Sequence, residues 1–302
     1  MQFDHSICKL CGGGGNTIRY RLRMANVVVC QHCGFHYTDY KDDEYAGLSA
    51  HSESTVLDEK AIRYIEEKLQ SNPHRFDHHI ATVLQHKQQG TLLDIGFGGA
   101  LFLRSMLQQG FDAYGIELDK QYLLYAKEVL GLSNINDLPV QDAYWQERYA
   151  GFFDVIVLWD VLEHVNDPVA LMQSIQRLLK PGGYLFIDTP CRDGFYHRSG
   201  EWLFRLSEGR WKGLLHDLYS SHRFGHKQIF SKQDMRKLLT QFQLQPVSIQ
   251  QFHEMSFPYA FYLKKILKRD WLVSIALPMV KLFFAVVKIR NKMMVVAKNN
   301  LT

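Results

Sequence analysis

The chain has 302 residues, 46% apolar and 22% charged, an ordinary globular composition with length for one large domain or two small ones. Its net charge of +4 is unevenly spread: Pro258 to Thr302 carries nine Lys or Arg against one acid, Asp270, and residues 1–257 carry 26 basic and 30 acidic residues. A mildly acidic body excludes a general nucleic-acid binder, and a basic, apolar tail points to an anionic membrane surface.

The first element is a pair of cysteine knuckles. Cys8-x-x-Cys11, eighteen residues, then Cys30-x-x-Cys33 is the spacing of a zinc ribbon, with Gly12 and Gly34 freeing each turn. Four thiolates close a tetrahedral site and leave no position for substrate, so the expected zinc is structural. Cys191 stands alone and is expected to be a small buried side chain. No secretory signal is read at the polar N-terminus, and metal-type cysteine spacing implies a reducing, cytoplasmic compartment.

Residues 1–40 are therefore expected to form a ribbon, followed by a helical linker or lid over 41–89. Its polar start, "YKDDEYAGLSAHSES", gives way to helical spacing from Leu57 to His86, interrupted at Asn72-Pro73, which predicts two helices.

From Thr91 short apolar strands alternate with helices. "TLLDI", "DAYGIEL", "FFDVIVLWD" and "YLFIDTP" read as strands. "GALFLRSMLQQG", "DKQYLLYAKEVLG" and "DPVALMQSIQRLLKPGG" read as helices. Such alternation predicts an α/β fold, a parallel sheet with helices on both faces. "SKQDMRKLLTQFQL" adds a Ser-capped helix, and "PVSIQQF" and "KMMVVAK" are further candidate strands.

The chemistry is expected at "LLDIGFGGALFL". Gly96 and Gly98 let the backbone turn tightly and approach a ligand, the following helix offers unpaired amides, and Asp94 adds a carboxylate. Glu117, about twenty residues on, can accept hydrogen bonds from a ribose diol, and Asp142-Ala143 follows the expected third strand near an adenine edge. With "DVLEHV" and "LKPGGYL" in order after them, residues 90 to 250 resemble the class I S-adenosylmethionine-dependent methyltransferases. The likeness is greatest to the group containing the quinone-biosynthesis O-methyltransferases. A dehydrogenase would share the glycine turn but not the later two motifs. The resemblance implies a Rossmann-like seven-stranded sheet. It also implies that Asp94 to Gly98 hold the methionine portion of S-adenosylmethionine, Glu117 the ribose and Leu118 the adenine face. Asp142 and Ala143 would lie near the adenine amine, and Trp159 would line the same pocket. Ala100 departs from the pattern, since many members have a third glycine there.

An oxygen or nitrogen acceptor needs a base, and histidine suits that role near neutral pH. The candidates are His226, ahead of "IFSKQDM", and His164 in "DVLEH". Some relatives bind a divalent cation at the cluster that corresponds to Asp160, Glu163 and His164; here those residues are read as structural. The insertion from Cys191 to Ser231 is expected to form the acceptor pocket as a long loop, with His197, His216 and His222 on its surface.

Residues 258–302 are expected to add a basic amphipathic helix and the last core strand. The apolar run from Trp271 to Val287 contains Pro278 and Lys281 and is too short to span a bilayer. Peripheral attachment through residues 258–290 is expected instead, on the cytoplasmic face. A zinc ribbon ahead of such a core resembles the bacterial sugar methyltransferases, so the expected acceptor is glycosyl, lipid-linked or another small molecule, methylated at oxygen. The alternatives are a ribosomal RNA guanine methyltransferase and a non-catalytic interaction protein.

Overall fold

Strands that read as unbroken apolar runs are buried on both faces, and the computed structural model shows this for the centre of the chain. It describes residues 6–22, 25–40, 55–219, 225–254, 259–286 and 289–301. Strands β1 (Thr17–Arg21), β2 (Asn26–Val29) and β3 (His36–Thr38) form a small antiparallel sheet. Seven more form the main sheet: β4 (Thr91–Ile95), β5 (Asp112–Ile116), β6 (Ile135–Asn136), β7 (Phe153–Trp159), β8 (Leu179–Pro190), β9 (Leu244–Phe252) and β10 (Lys292–Asn299). Their order is β6-β5-β4-β7-β8-β10-β9. The first five are parallel, and β10 runs antiparallel between β8 and β9. This is the parallel sheet expected from the alternating pattern, completed to the Rossmann-like seven strands that the family resemblance implies.

Successive residues of β7 go to opposite faces. Ile156 and Leu158 join the helices Pro168–Leu178 and Lys232–Gln241, and the same cluster includes Cys8, Leu10, Phe35 and Tyr37 of the ribbon. Val155 and Val157 join Val83 of the helix Asp77–His86 and Phe102, Leu103 and Met106 of the helix Leu101–Gln108. Val155 through Leu158 are completely buried, which is why the strand shows no polar alternation.

The ribbon is fastened to this body by backbone as well as side chains. Tyr37 pairs with Gln228, and the Thr38 N–H donates to the Lys227 carbonyl at 2.7 Å. Lys237 Nζ donates to the Cys33 carbonyl at 2.8 Å, and Phe35 lies 5.0 Å from the ring of Phe230.

Several local expectations are corrected. The helix that was expected to run through "KPGG" ends at Leu178, and β8 begins at Leu179, pairing with Phe153. The third parallel strand, β6, is two residues long and ends six residues before Asp142. The insertion 191–231 is no plain loop, because it contains helices Phe195–Leu206 and Gly213–Leu218. His197 is buried, not on the surface, and its Nε2 meets the Tyr219 hydroxyl at 3.0 Å. His216 is half-buried, and His222 lies outside the described residues.

Between β9 and β10 the helices Tyr259–Leu267 and Asp270–Val286 pack on each other. Trp271, Ile275, Met279 and Leu282 are 59 to 70% exposed and recur at three- and four-residue intervals along the second helix. Among the described residues no helix is long and apolar enough to cross a membrane.

Candidate cofactor cleft and acceptor site

Glycine builds the turn after β4. Gly96 and Gly98 have φ of +79° and +53°, and Ala100 follows at +60° as N-cap of the helix Leu101–Gln108. A residue with a Cβ loses roughly 1–2 kcal/mol there, so the alanine that replaces a third glycine is strained. The Gly96 N–H donates to the Ile116 carbonyl at 2.8 Å and ties the turn to the end of β5. Just beyond, Glu117 Oε2 accepts from the Gly98 N–H at 2.6 Å and Oε1 from the Asp119 N–H at 2.9 Å. Burial outweighs these two bonds and pushes the Glu117 carboxyl up to about 7.

Beneath the turn, Asp94 is 1% exposed and neither carboxylate oxygen has a partner among the described residues. Burial, with Glu117 nearby, holds its carboxyl well above the usual range. At the end of β7 the indole Nε1 of buried Trp159 is likewise unsatisfied. Buried polar groups are almost always paired, so such orphans beside a glycine turn mark a place for a polar ligand.

A cleft of about 180 Å³ opens there, walled by Leu69, Arg75, Gly96, Gly98, Trp159 and Asp160 among others. A Cβ on Gly98 would meet nothing within 4 Å, whereas one on Gly96 would lie 2.6 Å from Val161 Cγ2. Three expected cofactor residues, Gly96, Gly98 and Trp159, therefore line one cleft. Glu117 touches its wall through Gly98. Asp94, Leu118, Asp142 and Ala143 are not among its lining: Asp94 is buried beneath the turn, Leu118 is half-buried against the main core, and Asp142 caps the helix Ala143–Arg148 by accepting from the Tyr144 N–H at 2.8 Å.

The sequence reading missed a charged network at the cleft. Arg75, in the connection after Asn72-Pro73, reaches Asp160 Oδ2 at 2.6 Å. Lys292, at the start of β10, lies 2.6 Å from Asp160, 2.9 Å from Asp188 and 2.6 Å from Glu254. Burial opposes ionisation of Asp160, but Lys292 and Arg75 hold its carboxyl well below the usual range. Only the helix break at Asn72-Pro73 signalled Arg75. Nothing in the sequence connected Lys292 to it, since the two are far apart in the chain.

A second group gathers Glu163, His164 and His226, whose ligand atoms lie within 4.8 Å of one another. His226 Nδ1 donates to the Leu218 carbonyl at 2.7 Å, which leaves Nε2 as the basic nitrogen of the ring. The two imidazoles are 4.9 Å apart. His164 is pushed down to about 3 by burial and then by His226. Glu163 is fully buried, which raises its carboxyl well above the usual range, and Oε2 accepts from Thr189 Oγ1 at 3.0 Å. Asp160 is already bonded to two cations and does not join this group. A third group is the ribbon's Cys8, Cys11, Cys30 and Cys33, whose sulfurs approach to 3.6 Å (Cys8–Cys33) and 3.7 Å (Cys11–Cys30). A tetrahedral zinc with bonds of about 2.3 Å holds its sulfurs about 3.8 Å apart.

A methyltransferase domain model matches residues 62–249, more than half of the chain. The ubiquinone biosynthesis O-methyltransferase of Acinetobacter baylyi is 33% identical over 107 residues, covering 34% of this chain and 44% of that protein. The protein of the same name from Pectobacterium atrosepticum is 32% identical over 104 residues, covering 34% and 43%. The chain thus matches less than half the length of these curated relatives. A SAM-dependent methyltransferase from Archaeoglobus fulgidus superposes with a TM-score of 0.51 at 14% identity, over 78% of this chain and 98% of its own. Haemonchus contortus phosphoethanolamine N-methyltransferase 2, solved with S-adenosyl-L-methionine, gives 0.52 at 15% identity, over 88% and 62%. At such identities the two structures speak for the fold.

Proposed function

The chain belongs to the methyltransferase domain family, and on that premise we propose that it methylates an oxygen of a small glycosyl or lipid-linked acceptor. Bound S-adenosylmethionine would supply an already activated methyl group, so the protein's task is chiefly alignment. The observation that carries this reading is the pair of unsatisfied buried groups, Asp94 and Trp159, beside the Gly96–Gly98 turn. In it, Asp94 and the glycine turn border the amino-acid end of the cofactor, the Gly96 and Gly98 N–H groups being bonded to the Ile116 carbonyl and to Glu117. Glu117 accepts from the ribose, and Leu118, Asp142 and Ala143, outside the cleft's wall, would meet the adenine where the cofactor extends beyond the cleft. Arg75 would be a further binding residue, because it lines the cleft and, paired with Asp160, keeps donors that can face a carboxylate.

His226 takes the acceptor proton on Nε2, with Nδ1 held by the Leu218 carbonyl. His164 packs beside it, neutral, as a positioning residue. The described residues of 1–40 would form a structural zinc ribbon, held by Cys8, Cys11, Cys30 and Cys33; of the expected lid over 41–89, residues 55–89 carry two helices and 41–54 lie outside the described residues. The core spans 90–257, and 258–302 carries the basic helical segment and the last strand.

The lipid-linked acceptor is supported by the exposed stripe Trp271, Ile275, Met279 and Leu282, with Lys264, Lys268 and Arg269 exposed at the turn before it. Apolar burial with cationic attraction is what a peripheral helix needs at an anionic, cytoplasmic-face membrane. Calorimetry with S-adenosylmethionine tests the core of the reading, and tight NADH binding with no response to S-adenosylmethionine refutes it. Flotation with anionic vesicles tests the tail: retention should weaken in high salt and be lost in Leu282→Glu.

A further inference from the structure

We propose that His36, His197 and Glu201 form a second metal site, separate from the four cysteines, for a divalent transition metal of the zinc class. His36 stands on β3 of the ribbon, and His197 and Glu201 stand four residues apart on the helix Phe195–Leu206, hence on one face. Their ligand atoms lie within 4.8 Å of one another, so a common point lies within about 2.8 Å of all three. Zinc bonds of about 2.0–2.2 Å to nitrogen and oxygen would need each atom to close by less than about 1 Å.

Two observations favour a ligand there. His36 Nδ1 and His197 Nδ1 are both buried with no hydrogen-bond partner among the described residues, in residues only 6% and 1% exposed. Each of two ligands is also steadied from behind, as metal ligands usually are. The Tyr219 hydroxyl meets His197 Nε2 at 3.0 Å, leaving Nδ1 toward the site, and the Tyr20 hydroxyl donates to Glu201 Oε1, leaving Oε2. His197 Nδ1 and Glu201 Oε2 are 3.9 Å apart. Arg192, whose charge reaches His36, is itself paired with Asp234 at 2.7 Å. Two imidazoles and one carboxylate are a zinc-type donor set with a fourth position for water.

The site would join the ribbon to the insertion that carries His226. Tyr219, the partner of His197, directly follows Leu218, whose carbonyl orients His226.

The test is metal content of untagged full-length protein after dialysis against a weak chelator, followed by cobalt exchange. Wild type should hold about two metals per chain and Glu201→Gln about one, since Gln keeps the bond from Tyr20 but is a poor ligand. The cobalt left in Glu201→Gln should retain thiolate-to-metal charge transfer and lose the weaker bands of a nitrogen–oxygen site. A wild type whose only cobalt shows thiolate charge transfer overturns the proposal. So does a second metal that survives in both Glu201→Gln and His36→Gln. A Glu201-dependent metal without any thiolate charge transfer would refute the zinc ribbon and leave this site standing.

Discussion

Gly96 and Gly98 sit two residues apart with left-handed backbone, yet they should respond differently to alanine. At either position the added Cβ costs roughly 1–2 kcal/mol of conformational strain. At Gly98 nothing lies within 4 Å of it, so the strain is the whole cost to folding. At Gly96 it would stand 2.6 Å from Val161 Cγ2, about 1 Å inside normal contact. Val161 is β-branched, stiff at χ1 and packed against the main core. Forcing a methyl into such packing costs about 1–3 kcal/mol more. Gly96→Ala should therefore destabilise by about 2–5 kcal/mol and Gly98→Ala by about 1–2, read as midpoint shifts in urea at constant slope. Cofactor affinity should also suffer in Gly98→Ala, because the space its methyl enters is the cleft itself. Equal destabilisation of the two variants, or a Gly98→Ala protein that binds S-adenosylmethionine like wild type, would refute the geometry argued for the turn.

Cys30→Ser should release the ribbon metal and lower the unfolding midpoint, since metal binding there is also folding energy; an equally stable, metal-free variant contradicts it. His226→Ala should lower kcat by about 10²–10⁴-fold with unchanged S-adenosylmethionine affinity, as expected of a base that acts only on the acceptor. Glu117 gives a pH signature. Its folded carboxyl sits at about 7, above the ordinary 4.5, so the stability it contributes below pH 4.5 is lost as pH rises toward 7. Ribose hydroxyls donate to the charged form, so cofactor affinity should rise between about pH 6 and 8 and level off above. Calorimetry across that range should show Glu117→Gln weaker and flatter, and an identical pH profile in the variant would remove Glu117 from the ribose site.

Local spacing carried much of this protein. The run of buried residues in β7, the glycine turn after β4 and the paired knuckles at Cys8 and Cys30 are each written within a few residues. Periodicity, backbone freedom and ligand spacing are properties of short segments, so they survive reading one segment at a time. The folded chain decided what depends on segments meeting. β10 enters the sheet between β8 and β9 only because the helical pair before it turns the chain back. That placement delivers Lys292 to Asp160, Asp188 and Glu254, and Asp160 is held on its other side by Arg75 at the wall of the cleft. Likewise the local pattern places His197 on the surface, whereas in the folded chain the ribbon docks beside Lys227 and Gln228 and brings His36 toward it. Coulomb attraction and desolvation act on distance in space, and the distance between residues 75, 160 and 292 exists only once the sheet has closed around them.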